Sequence, residues 1–170
     1  MEILDVLTDM AKTGRLGPVF SGADWSDVTE ALGEPCHTGS QSWKWPRLFA
    51  YGDLEVSVCR CRKVSIICVQ TWRDVVELPP SAVGGTGTFL AGLSHEDVVS
   101  ALDNAGCSWE PYPPLTFGDQ STLVVIPTAA HFTFEILEGR GPVLNSMSLP
   151  ADGHDCNANA AKSREHASLQ

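Results

Sequence analysis

The stretch Arg47-Leu48-Phe49-Ala50-Tyr51-Gly52-Asp53-Leu54-Glu55-Val56-Ser57-Val58-Cys59 holds two strand-forming runs hinged on Gly52-Asp53. Glycine frees the backbone at a turn and aspartate bonds the local backbone, so the pair reads as a hairpin. In the second run Leu54, Val56 and Val58 alternate with Glu55, Ser57 and Cys59. That period of two sets the first three against helices and turns the other three outward. A third strand is expected over Lys63–Gln70, after a turn at Arg60–Arg62. The reading is an antiparallel meander with one face covered and one open.

Helical patterns precede it. Ile3, Leu7 and Met10 share one side of a short helix over residues 2–11, and a turn follows at Gly17-Pro18. A second helix begins at Asp24-Trp25, with Asp24 as its cap and Asp27 in its first turn, and ends at Gly33 and Pro35. A polar loop with Trp43 and Trp45 leads into the meander.

The same order then recurs. Ser94-His95-Glu96-Asp97-Val98-Val99-Ser100-Ala101-Leu102 matches the earlier helix at Asp27, Val28, Ala31 and Leu32, and Ser94 with Asp97 forms a capping box. Trp109 falls where Trp43 would. Pro114–Asp119 echoes Arg47–Asp53 and keeps an aromatic residue before Gly-Asp. Leu123–Ile126, His131–Leu137 and Val143–Leu149 read as strands. The predicted fold class is α+β: two tandem helix-plus-antiparallel-sheet units, in one continuous or two side-by-side sheets with helices on one face. The first unit spans 1–78, a Pro- and Gly-rich linker 79–88, the second unit 89–150, and a small, polar, mobile tail 151–170.

Charge separates the units. Residues 1–73 carry eight Lys/Arg and nine Asp/Glu, whereas residues 74–139 carry nine acidic residues and no Lys or Arg. Such a lobe repels nucleic acid and attracts a basic protein. No apolar run approaches a membrane span and the start lacks a basic, apolar leader, so a cytoplasmic, soluble protein is expected, with neither membrane nor nucleic acid as partner. In that compartment the six cysteines read as reduced, structural thiols.

Chemical motifs are sparse. Gly84-Gly85-Thr86-Gly87 lacks the Gly-Lys-Ser/Thr ending of a phosphate loop and reads as linker. Cys59-Arg60-Cys61 could present two sulfurs together, but there is no Cys-x-x-Cys pair, so no metal is expected. No nucleophile elbow appears, and Asp53 and Asp119 read as turn residues rather than paired catalytic carboxylates. No enzyme activity and no cofactor are expected. The large rings are better suited to recognition, since Trp and Tyr dominate interface energetics. Trp25 and Trp72 are expected in the core. The partner-binding set is Trp43, Trp45, Glu55, Trp109, Glu110, Tyr112 and Asp119.

Gly22–Cys36 and Gly92–Trp109 each carry a glycine, a short capped helix and a Cys- or Trp-bearing loop before a meander. This pattern, over about residues 15–149, resembles the β-lactamase-inhibitory-protein-like tandem repeat. Tyr51-Gly52-Asp53-Leu54-Glu55-Val56 is similar to small actinobacterial toxin-immunity-type proteins. The chain departs from the secreted inhibitor in lacking a leader and a disulfide pair per unit, so β-lactamase inhibition is not implied. The resemblance implies the architecture and an open sheet face that binds protein. The expected function is an inhibitor or immunity protein that occludes a basic partner such as a toxin enzyme. The alternative is a small-molecule carrier or sensor with a pocket between the units.

Overall fold

The computed structural model describes residues 1–39, 45–150 and 156. Trp43 and all of the presumed tail except Cys156 lie outside the described residues. The first half runs α1 (Ile3–Thr13), β1 (Arg15–Leu16), β2 (Val19–Phe20), α2 (Trp25–Leu32), β3 (His37–Thr38), β4 (Arg47–Tyr51), β5 (Leu54–Val58), β6 (Val64–Gln70) and β7 (Val75–Glu77). The second runs α3 (Pro80–Val83), β8 (Thr88–Leu90), α4 (His95–Asn104), β9 (Ser108–Pro111), a 3-10 turn (Pro113–Leu115), β10 (Gln120–Ile126), β11 (Ala130–Leu137) and β12 (Gly141–Leu149). The stretch 79–88, read as linker, carries α3 and the first residue of β8. No helix among the described residues is long and apolar enough to cross a membrane.

Eight strands form one continuous antiparallel sheet in the order β3-β4-β5-β6-β12-β11-β10-β9, and β1-β2 and β7-β8 make two small ribbons. The antiparallel α+β character expected from the alternation is present. The two meanders join at β6 and β12, where Ile67, Cys68, Val69 and Gln70 oppose Leu149, Ser148, Met147 and Ser146. Thr71 extends this seam: its N–H donates to the Asn145 carbonyl and its hydroxyl to the Leu144 carbonyl, both at 2.9 Å.

Period-two alternation decides which face is covered. Leu54, Val56, Val58, Ile67, Val69, Leu123, Val125, Phe132, Phe134 and Met147 are buried on one side, together with Leu7 and Met10 of α1, Val28 of α2, and Val98 and Leu102 of α4. Each such side chain contributes about 1.5–3 kcal/mol on leaving water, which fixes the helices to that face. The edges are blunt, since β3 has two residues and β9 ends at Pro111, and both features discourage pairing with another sheet.

Three expectations need correction. Trp72 is not in the core: β6 ends at Gln70, Thr71 takes the buried place, and Trp72 is 60% exposed with the Arg73 guanidinium over its ring at 4.8 Å. Asp24 stands at the N-cap of α2, but its carboxylate pairs with Lys63 Nζ at 2.8 Å instead of capping the helix. Cys59 is buried, because the strand pairing shifts at Ser57/Val58 and the chain then enters the turn to β6. Trp25 does join the core, stacked on Phe49 with ring centroids 4.4 Å apart.

Candidate functional site

The open face of the eight-stranded sheet is built by the residues that alternate with the core. Antiparallel register aligns them in rows across the strands. One row takes a residue from every strand: His37, Ala50, Glu55, Cys68, Ser148, His131, Val124 and Glu110. A neighbouring row holds Gln70, Ser146, Thr133 and Thr122. Glu55 and Glu110 thus share one row, five strand spacings or about 24 Å apart.

Hydrogen bonds fix the centre of this face. Gln70 Nε2 donates to Glu55 Oε2 at 3.0 Å and lies 3.7 Å from Cys68 Sγ. Burial, followed by the nearby Glu55 charge, pushes the Cys68 thiol up to about 12, against the opposing hydrogen bond with Ser146. Burial also lowers the His131 pKa from its ordinary value, and the Tyr112 ring lies over the imidazole at a centroid distance of 4.5 Å. At neutral pH Cys68 is therefore a thiol and His131 an uncharged imidazole. Cys68 and His131 stand two strand spacings apart, about 10 Å, too far for direct proton transfer between them. At the second end, Thr122 is buried where its hydroxyl donates to the Leu115 carbonyl at 2.9 Å. The 113–117 segment thus folds over this part of the face.

The electrostatics are one-sided. Among the strands of this sheet the sole Lys or Arg is Arg47, which alternates with Phe49 and Tyr51 on the covered side and packs against the Trp45 ring at 4.6 Å. Glu55, Glu110 and Glu135 stand on the open side with no strand cation beside them.

The expected binding residues separate in space. Glu55, Glu110 and Tyr112 reach the open face. Trp45 enters β4 at one end of the sheet, half-buried against the core, about 29 Å across six strand spacings from β9. Trp109 is half-buried on the covered side, where its indole N–H donates to Asp103 Oδ1 of α4 at 2.8 Å. Asp119 is exposed in the turn before β10, and its carbonyl accepts from the Ile136 N–H at 2.7 Å. Gln70, Thr133, Ser146 and Ser148 form the middle of the face and were missed by the sequence reading. Extending the alternation of Leu54–Cys59 into β6 and β12 would have found them.

No protein-family model and no curated protein matches the sequence. Among solved structures the chain is similar to a DUF4309 family protein (YjgB) from Bacillus subtilis subsp. subtilis str. 168, with 17% identity, 88% of this chain and 95% of that chain covered, and a TM-score of 0.48.

Proposed function

We propose that this protein binds a basic protein partner across the open face of its eight-stranded sheet, and occludes that partner as an inhibitor or immunity protein. The supporting observation is the face itself: its carboxylates Glu55, Glu110 and Glu135 stand among small hydrogen-bonding side chains and the exposed Leu48, Ile66 and Ile126, with no strand Lys or Arg. An anionic surface recognises a cationic one and steers its approach. The same reading takes the two halves as tandem copies. α2 with β3–β6 and α4 with β9–β12 run in one order, and the two inner strands meet antiparallel, as a local two-fold axis requires.

The test is a photo-crosslinker placed at Ser146 on the open face and at exposed Glu30 on α2, in the native cell. Ser146 should capture a basic protein that Glu30 does not. The association rate of that partner should fall on the order of tenfold or more with rising salt, as screening shortens to about 8 Å at physiological ionic strength. Reversing Glu110 and Glu135 to Lys should slow association more than it speeds dissociation. A salt-independent rate, or capture from both faces alike, would sink the reading.

A carrier role draws on a different observation. A hollow of about 600 Å³ lies between the halves, lined by Thr13, Phe20, Ser21, Pro127, Thr128 and Leu149 among others. A small molecule that raises the melting temperature, and does so less in Phe20→Ala, would favour that role.

A further inference from the structure

The turn between β5 and β6, Cys59-Arg60-Cys61-Arg62, is closed by hydrogen bonds from the Arg62 N–H to the Cys59 carbonyl and from the Cys59 N–H to the Lys63 carbonyl, each 2.9 Å. Arg62 at φ 64° folds the chain back so that the two thiols of this Cys-x-Cys meet, with the sulfurs 2.9 Å apart. Cys156 reaches the same place from the far end of the chain. The three sulfurs all lie within 4.8 Å of one another, with Cys59 buried and the other two half-buried. Packing alone gives no reason for a third thiol, from a position so distant in sequence, to meet the Cys59–Cys61 pair. The other three cysteines do not cluster in this way: Cys36 is exposed and bonded to the Ala50 carbonyl, Cys68 lies on the open face, and Cys107 packs against the core.

Three sulfurs at this mutual distance can surround one ion. A metal–sulfur bond of about 2.3 Å places thiolates about 4 Å apart in a trigonal or tetrahedral arrangement, so the Cys59–Cys61 pair, now 2.9 Å apart, opens by about 1 Å to take the ion. Thiolate is a soft donor and selects soft cations over calcium, magnesium or manganese. Arg60 and Arg62 flank the cluster in sequence and offset the negative charge that three thiolates leave around one ion. We propose that Cys59, Cys61 and Cys156 form a trithiolate site for a thiophilic d10 cation, Cu(I) in trigonal coordination or Zn(II) with an added water. Binding ties Cys156 to the β5–β6 turn and gives these three thiols a role beyond the structural one expected from sequence.

The experiment titrates the reduced full chain under anaerobic conditions with Zn(II) against a chromophoric chelator, and separately with Cu(I) against a bathocuproine competitor. One equivalent of one cation should be retained. Mass-spectrometric mapping of alkylation should then show Cys59, Cys61 and Cys156 protected by that ion, and Cys36 and Cys107 unprotected. Cys156→Ser should weaken retention at least about tenfold, and Cys36→Ser should leave it unchanged. A thiolate-to-metal charge-transfer band on Co(II) substitution marks the zinc case, and Cu(I)–thiolate luminescence marks the copper case. Retention of neither cation, equal retention by Cys156→Ser, or a Cys59–Cys61 disulfide as the sole product with no metal-protected thiols would overturn the proposal. The alkylation map on the unaltered chain decides the matter even if a variant misfolds.

Discussion

Two glycines that precede aspartate in turns, Gly52 and Gly118, both adopt a left-handed backbone, with φ 64° and 55°. Their surroundings differ. A Cβ at Gly52 would run into the Glu77 carbonyl oxygen, whereas one at Gly118 would meet open space. The reason is Asp53, only 5% exposed, whose carboxylate accepts the Glu77 N–H at 2.8 Å and pins β7 over the first turn. Asp119 meets β11 only through its carbonyl, which accepts the Ile136 N–H, and remains exposed. Gly118→Ala should therefore lower unfolding free energy by about 1–2 kcal/mol, the left-handed strain alone. Gly52→Ala should cost at least about 3 kcal/mol, since backbone must also shift. Urea midpoints compare the two, and equal losses would refute the account. Both dipeptides were legible as turns, because Gly and Asp act locally. What lies against a turn is a long-range fact, and no local pattern in Gly52-Asp53 announces Glu77.

Helix starts show which signals survive the step from sequence to structure. At α4, Ser94 Oγ accepts the Asp97 N–H at 3.1 Å and Asp97 Oδ2 accepts the Ser94 N–H at 2.9 Å, so the reciprocal pattern read from sequence is formed. At α2 the expected cap was lost because Lys63, brought in by the sheet, offered Asp24 a cationic partner. Hydrogen bonds from the Ser94 hydroxyl and then its backbone N–H hold the Asp97 carboxyl below its ordinary pKa. A carboxylate depressed in the folded state stabilises above its unfolded pKa and loses that contribution as pH falls through the folded value. Ser94→Ala should cost about 1 kcal/mol at neutral pH. The melting-temperature gap between the protein and Asp97→Asn should close as pH drops through the carboxylate range, and a gap that persists in acid would contradict the capping role. Strand ends were less legible. β10 begins at Gln120 rather than Leu123, since Thr122, a polar residue that weakens the apolar signal, is satisfied by the Leu115 carbonyl above it. β7 is only three residues long, too short to announce a period.

Over the whole molecule, the alternation in β5 identified an open face, whereas the charge count placed the acidity in residues 74–139 and did not point to that face, to which Glu55 of the first half also contributes. The row that crosses eight strands could not be read, because register and the β6–β12 seam join segments about eighty residues apart. The tryptophans were the other loss, since ring type and a polar neighbourhood do not say on which side of a sheet a side chain falls. Trp109 sits on the covered side and Tyr112 on the open one, which separates their roles. Trp109→Ala should reduce stability by about 2–3 kcal/mol through the lost packing and the lost hydrogen bond to Asp103, with partner dissociation little changed. Tyr112→Ala should do the reverse, speeding dissociation with a small change in melting temperature. Paired denaturation and binding-kinetics measurements separate these outcomes, and a crossed result would relocate the recognition surface to the helical side.

The seam has one more consequence. Cutting between Gly84 and Gly85, both exposed at a loop tip, would leave each fragment with an intact meander whose inner strand, β6 or β12, has one edge unpaired. Neither piece could satisfy the seam-facing N–H and C=O groups of that strand alone, yet each carries the other's missing partner, with β7 and β8 as a second point of re-joining. Peptides 1–84 and 85–170, produced separately, should regain the native circular dichroism spectrum only on mixing. Fused to two interacting proteins, such halves would make a split-protein complementation reporter.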